Sequence, residues 1–219
     1  GLTVGQTELT GQWQQQADGW LLQLPRLRLD GQDMDGLQVQ QGQSLTVRAP
    51  RIALGPMLQV LALSERVPAG TRNWLLASRP ALVLEQLHWH GDIHGQWQGA
   101  ARLQQLQFAP VGNAPGVLGL AGLLQADQSG LLLDLDETGT TVLDWPGGFG
   151  LPHELKLEGG IAAWADAAGW RVGLDGLQVH GTDYGARVRG SLLFQEGGSR
   201  PRLDLAAELD DAPMTSAKR

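Results

Sequence analysis

The sequence predicts a mainly β protein, and three observations carry the prediction. Apolar and polar residues alternate with a period of two through most of the 219 residues, the pattern of strands with one face buried and the other in water. Glycine, at 31 residues, is about twice its usual ~7%. The glycines fall between the alternating runs, where they make turns, bulges and close backbone approaches. Only residues 55–80 have helical spacing, far too little helix to cover so many strand faces.

In chain order, TVGQTELTGQWQQ and GWLLQLPRLRLDG read as the first strands. In the second, the apolar phase moves from Leu22 and Leu24 to Leu27 and Leu29. Pro25 stands at the slip, as expected of a bulge or an edge strand. SLTVRAPRIAL repeats the pattern, with Leu45 and Val47 before Pro50 and Ile52 and Leu54 after it. The helical stretch follows. Met57, Leu58, Leu61 and Leu63 are spaced for a helix that Pro56 opens, and Trp74, Leu75 and Leu76 for a second that Pro80 ends. This short pair spans residues 56–79.

Strands resume at ALVLEQLHWHG, GQWQGAARLQQLQFAP, GVLGLAGLLQAD and GLLLDLDETG, then TVLDWP and HELKLEGGIAAW. In the last of these, Leu155, Leu157, Ile161 and Ala163 oppose Lys156 and Glu158. GWRVGLDGLQVHGTDYGARVRGSLLF is a hairpin. Trp170, Val172 and Leu174 share a side, Gly176 shifts the phase to Leu177 and Val179, and HGTDYG turns the chain. Ala186, Val188, Leu192 and Phe194 then oppose Arg187, Arg189 and Ser191. The expected cross-strand neighbour of Val188 is Val172 or Leu174. RPRLDLAAELDD closes the series, with Leu203, Leu205, Ala207 and Leu209 on one side.

Composition excludes several classes. A net charge of −7 argues against nucleic acid, which needs a basic stripe to displace counterions. With no cysteine, neither a disulfide framework nor a thiolate metal site is possible. That suits a reducing compartment, or an envelope protein that manages without disulfides. No run reaches the ~18 apolar residues of a membrane-spanning helix. Both ends read as cuts through a longer protein, so one internal segment of a larger chain, residues 1–219, is expected.

Two sites of chemistry invite attention. Asp134-Leu135-Asp136-Glu137-Thr138 matches the D-x-D-x-T of haloacid-dehalogenase-type phosphatases, whose first Asp attacks phosphorus beside Mg²⁺. That chemistry needs a parallel α/β sheet with a helix after the motif, and GTTVLDWPGG follows instead. Lys156 and the Asp210–Asp211 pair could be pressed into the remaining roles, but one Lys on a strand is weak support. The expectation is a solvated strand and no enzyme. HWHGDIH places His88 and His90 on one strand face with Asp92 and His94 beyond, but nothing fixes a third ligand, so no metal or cofactor is expected. The eight tryptophans fit either a core or a rim where an apolar surface meets water.

Periodicity leaves open what hides the apolar face: a second sheet, as in a closed sandwich serving as a spacer, or an open trough that holds something apolar. The order of motifs bears on this. It runs from L.V.AP.I.L through WLLASRPALVLEQL to APGVLGLAGLLQADQSGLLLDL, then to LEGGIAAW…GWRVGLDGLQV and PRLDLAAELDDAPM. This series resembles the AsmA-like superfamily of Gram-negative envelope proteins over nearly the whole chain, and most closely its YhdP branch. The resemblance implies a long, twisted antiparallel sheet curled into an open hydrophobic groove. It implies a periplasmic segment of a protein anchored in the inner membrane, carrying phospholipids towards the outer membrane.

The implied partners are phospholipid acyl chains, flanking segments of the same chain, and the two membranes through parts of the parent protein. The groove lining would then come from Leu155, Leu157 and Ile161, from Trp170, Val172, Leu174, Leu177 and Val179, from Val188, Leu192 and Phe194, and from Leu203 and Leu205.

Overall fold

The computed structural model describes residues 7–210 apart from Asp30, Ile93, His94, Thr138, Phe149 and residues 196–200. Four strands come first: β1 (Thr7–Gln16), β2 (Gly19–Leu29), β3 (Gln32–Gln41) and β4 (Leu45–Ala53). Helices α1 (Gly55–Leu61) and α2 (Ala69–Ser78) follow. The remaining strands are β5 (Ala81–Gly91), β6 (Trp97–Phe108), β7 (Gly116–Asp127), β8 (Gly130–Leu135), β9 (Thr141–Asp144), β10 (His153–Glu158), β11 (Gly160–Asp166), β12 (Gly169–His180), β13 (Gly185–Gln195) and β14 (Arg202–Asp210).

All fourteen strands form one sheet, antiparallel at every pairing. Its apparent crossover resolves into a simple meander. β8 pairs with the C-terminal half of β7 and β9 with its N-terminal end, so β8 and β9 are two pieces of one row. β11 and β10 likewise share a row, lying between those pieces and β12. Fourteen strands thus make twelve rows, each antiparallel to the next. Among the described residues β1 pairs only with β2 and β14 only with β13, so the sheet is open at both edges. Among the described residues there is no second sheet to close a sandwich.

The sequence left β3 unread. QDMDGLQVQQ has three apolar side chains, and Gly36, at φ +71, breaks their alternation. The β12–β13 hairpin needs a correction. Val188 faces Leu177, whereas Leu174 faces Gly190 and Val172 faces Leu192. The cause is the extra residue at Gly176, whose φ of +74 makes a bulge and slides the register by one.

Such irregularities line up across the sheet. Pro25 lies opposite Gly36, and Pro50 opposite Gln86, which itself has φ +52. The β5–β6 register shifts at the same level, β6–β7 shifts between Leu103 and Gln107, and Gly119, Gly159 and Gly176 all have positive φ. Along this seam most strands exchange the residues they present to each face. That is why apolar residues before and after Pro25 or Pro50 can share one side despite their changed parity. The sheet therefore has two panels, one on each side of the seam.

The buried residues gather at and beyond the seam. Met34, Ile52, Leu84, Leu103, Leu120, Leu135 and Leu177 belong to one cluster extending from β3 to β12. The helices cap its β4–β6 end. Met57 of α1 packs on the cluster, and the Trp74 ring of α2 lies 5.7 Å from Phe108. The Leu54 N–H donates to Leu82 O at 2.9 Å, and the Ala109 N–H to Ser78 O at 2.8 Å, fastening both helices to strand ends. No helix among the described residues is long and apolar enough to cross a membrane.

Candidate functional site

On the other side of the seam lies an apolar surface that none of the described residues covers. Cross-strand partners form one row through the whole sheet: Trp13, Leu22, Val39, Val47, Trp89 and Gly99, continuing through Ala126, Leu131, Ala163, Val172, Leu192 and Leu203. Every member is apolar, one per row of the meander, and none is buried. Rows lie ~4.8 Å apart, so this track runs roughly 50 Å. Leaving it in water forgoes roughly 1.5–3 kcal/mol for each large side chain that a cover would bury.

The neighbouring row on the opposite face is of another kind. Gln12, Gln23, Gln38, Arg48 and His88 lead through Ala100 and Gln125 to Leu132, Ala162, Gly173, Ser191 and Asp204. One side of the sheet is apolar from edge to edge, while the other is mostly polar.

The candidate lining residues fall on the apolar face by register. Ile161 faces Leu174, Trp170 faces Phe194, and Leu157 faces Val179. Val172, Leu192 and Leu203 belong to the edge-to-edge row, Leu205 faces Gly190 beside it, and Leu155 sits one alternation from Leu157. Burial divides them. Leu155 and Leu177 are core residues at 6% exposure, whereas Trp170, Leu203 and Leu205 remain 42–54% exposed. The lining is therefore graded, closed at the seam and open away from it.

Sequence reasoning missed the N-terminal half of this surface, including Leu22, Val39, Val47 and Trp89. A rim position for several tryptophans was legible from their places at strand ends, but not which of them share a margin. The turns of β1/β2, β3/β4, β5/β6, β7/β8 and β11/β12 all lie at one margin of the sheet. Five tryptophans stand on the apolar face close to that margin: Trp13, Trp20, Trp89, Trp97 and Trp170. Trp13 stacks on Trp20 with centroids 4.6 Å apart, and Trp89 on Trp97 at 6.2 Å. A local signal was present, since GQW occurs at 11–13 and 95–97 and GW at 19–20 and 169–170.

Two of the turns at this margin are short and pinned by an aspartate. The Ser129 hydroxyl and N–H donate to Asp127 Oδ1 at 2.5 and 2.7 Å, holding that carboxyl below its usual range. Asp166 is lowered likewise, first by the hydrogen bond from Arg171 and then by the Ala168 N–H. The opposite margin carries the two helices and the longer connections of residues 109–115 and 145–152.

The chemical alternatives find no support in the geometry. Asp134 is an exposed residue of β8 in an antiparallel sheet, and Asp136 is paired with Arg102 at 2.7 Å, so the parallel α/β setting of the phosphatase motif does not occur. Thr138 and Asp211 lie outside the described residues, as does His94. His88 and His90 share the polar face, with His90 Nδ1 3.2 Å from Thr46 Oγ1. Among the described residues no third imidazole or carboxylate joins them as a metal site. A shallow recess on that face, between His88, Gln98, Gln125 and Trp164, opens broadly to water.

The YhdP protein family model matches residues 2–219 of the chain. No curated protein and no solved structure matches it.

Proposed function

Since the chain belongs to the YhdP family of envelope proteins, we propose that it is a periplasmic segment of a lipid conduit and shields phospholipid acyl chains on the apolar face of its sheet. The observation that carries this reading is the unburied apolar row crossing all twelve rows of the meander. A spacer domain has no use for such a surface, because each uncovered leucine or tryptophan lowers solubility and invites aggregation. Hydrocarbon chains supply the missing cover without demanding hydrogen bonds.

The dimensions suit that cargo. A track of roughly 50 Å is many times the width of one acyl chain. Chains can therefore follow one another along it. The open edges at β1 and β14 leave main-chain donors and acceptors for further strands, so flanking parts of the parent chain can lengthen the same face toward each membrane. The protein works by solvation and not by catalysis: it lowers the cost of moving acyl chains through water by keeping them against apolar side chains.

Native mass spectrometry of the protein purified from a Gram-negative host tests the proposal. Phospholipid adducts retained under gentle ionisation are expected, and are lost after delipidation with detergent. A protein that never carries phospholipid, even when refolded with it, contradicts the proposal and favours a structural role.

A further inference from the structure

The apolar face is not the same across its width, and an amphiphile lying on it would meet that difference. At one margin are five tryptophans beside short polar turns, with Trp13 and Trp170 57% and 54% exposed. Next comes the aliphatic stretch of the edge-to-edge row, then the seam with Leu103, Gly122 and Leu135 buried. Beyond the seam the face is closed over the core, and the helices cap it at β4–β6. Indole combines a large apolar surface with one N–H donor, so it is favoured where hydrocarbon gives way to polar groups and disfavoured deep in hydrocarbon.

Resting on the lipid-conduit reading, we propose that phospholipids lie across this face in one orientation. Their headgroups and glycerol esters track the tryptophan margin, and their chain ends point toward the seam. The polarity gradient of the protein then matches that of the lipid at every position along the sheet. The reverse orientation would put the phosphate against the buried leucines of the seam and the terminal methyls among water-exposed turns. The tryptophan margin would also be the side on which lipids enter and leave, because the helices and the longer connections occupy the opposite margin.

The test uses bromine as a contact quencher of indole emission. The protein is loaded with phosphatidylcholine brominated either near the carboxyl end of its chains or near the methyl end. Binding of both lipids is confirmed by mass spectrometry. Bromine near the carboxyl end is expected to quench the greater share of the emission. In the Trp20→Phe/Trp97→Phe/Trp170→Phe protein that preference should shrink, since of the five margin tryptophans only Trp13 and Trp89 remain to report it. Stronger quenching by chain-end bromine in the unsubstituted protein, or equal quenching by both lipids, overturns the orientation while leaving the conduit in place. Failure of either lipid to bind overturns the conduit itself. Should the triple variant not fold, the Trp170→Phe protein replaces it, since that side chain is more than half exposed, and the quenching profile of the unsubstituted protein still decides the outcome.

Discussion

The two panels of the sheet share one apolar face and differ in what lies over it. At and beyond the seam, Ile52, Leu84, Leu103 and Leu177 are each at most 6% exposed, and together with the capping helices they form the protein's core. On the near side Trp13, Leu131 and Leu203 are 37–57% exposed although their alternation is equally regular. Strand periodicity is identical in both panels, so it reports which face is apolar and not whether that face is covered. Cover depends on where the strands change phase and where the helices dock. The first panel holds the fold, and the second is left free to hold something else.

The sharpest way to break this comparison is to place the same charge on each side. Leu103→Asp puts a carboxylate at a site only 3% exposed, where no partner waits. An unpaired charge there costs several kcal/mol or forces its own protonation. Against a typical domain stability of 5–15 kcal/mol, thermal unfolding followed by circular dichroism should show loss of the folded state or a large drop in Tm. A variant melting like the unsubstituted protein would mean that the seam is not a core.

A smaller effect is expected at the seam's backbone. Gly176 has φ +74, and an added Cβ would meet only Arg187 Cδ at 3.9 Å. Gly176→Ala therefore tests the left-handed conformation free of collision and should cost about 1–2 kcal/mol. Denaturant titration giving no change would show that β12 does not need its bulge.

Smaller still is Asp136→Asn, which breaks the ion pair with Arg102 but leaves both side chains 30–39% accessible to water. The loss should be at most about 1 kcal/mol by denaturant titration, and less in high salt. A larger loss would show that β6 and the end of β8 are held together across β7 by charge more than by packing.

The least change concerns pH. The Asp166 carboxyl is held below its ordinary 3.8 by Arg171 and the Ala168 N–H. Its contribution is therefore present above that value and lost as pH falls through the lowered one. Asp166→Asn should leave stability near pH 7 slightly reduced and remove a small part of the decline in Tm between pH 4 and pH 2. An unchanged acid profile would show that the β11–β12 turn does not depend on this carboxylate.

Much of the fold was legible because each signal was local. The slips at Pro25 and Pro50, the bulge at Gly176, the helix pair opened by Pro56, and the alternation of β10 to β14 are all written in a few adjacent residues. What escaped depends on pairing between distant residues. β3 was hidden because Gly36 splits its three apolar side chains between two phases. The shared row of β8 and β9 follows from both lying along β7, which no local pattern encodes. The site shows the same division. The apolar side of β12 to β14 could be read strand by strand, whereas the tryptophan margin emerges only when register brings residues 13, 20, 89, 97 and 170 to one side of one sheet.

The central claim is that the uncovered panel carries acyl chains, and the most direct test is the phospholipid content of Val172→Asp. Val172 lies in the edge-to-edge row between Ala163 and Leu192, and water reaches it. A carboxylate there should be tolerated by the fold but intolerable to hydrocarbon. Lipid bound per protein is measured by mass spectrometry on material shown to be folded by circular dichroism, with Gln125→Asp on the polar face as the control. The account predicts a folded Val172→Asp protein with most of its phospholipid gone and a control that keeps its full complement. Undiminished lipid in the folded Val172→Asp protein, or unfolding as severe as that of Leu103→Asp, would contradict it.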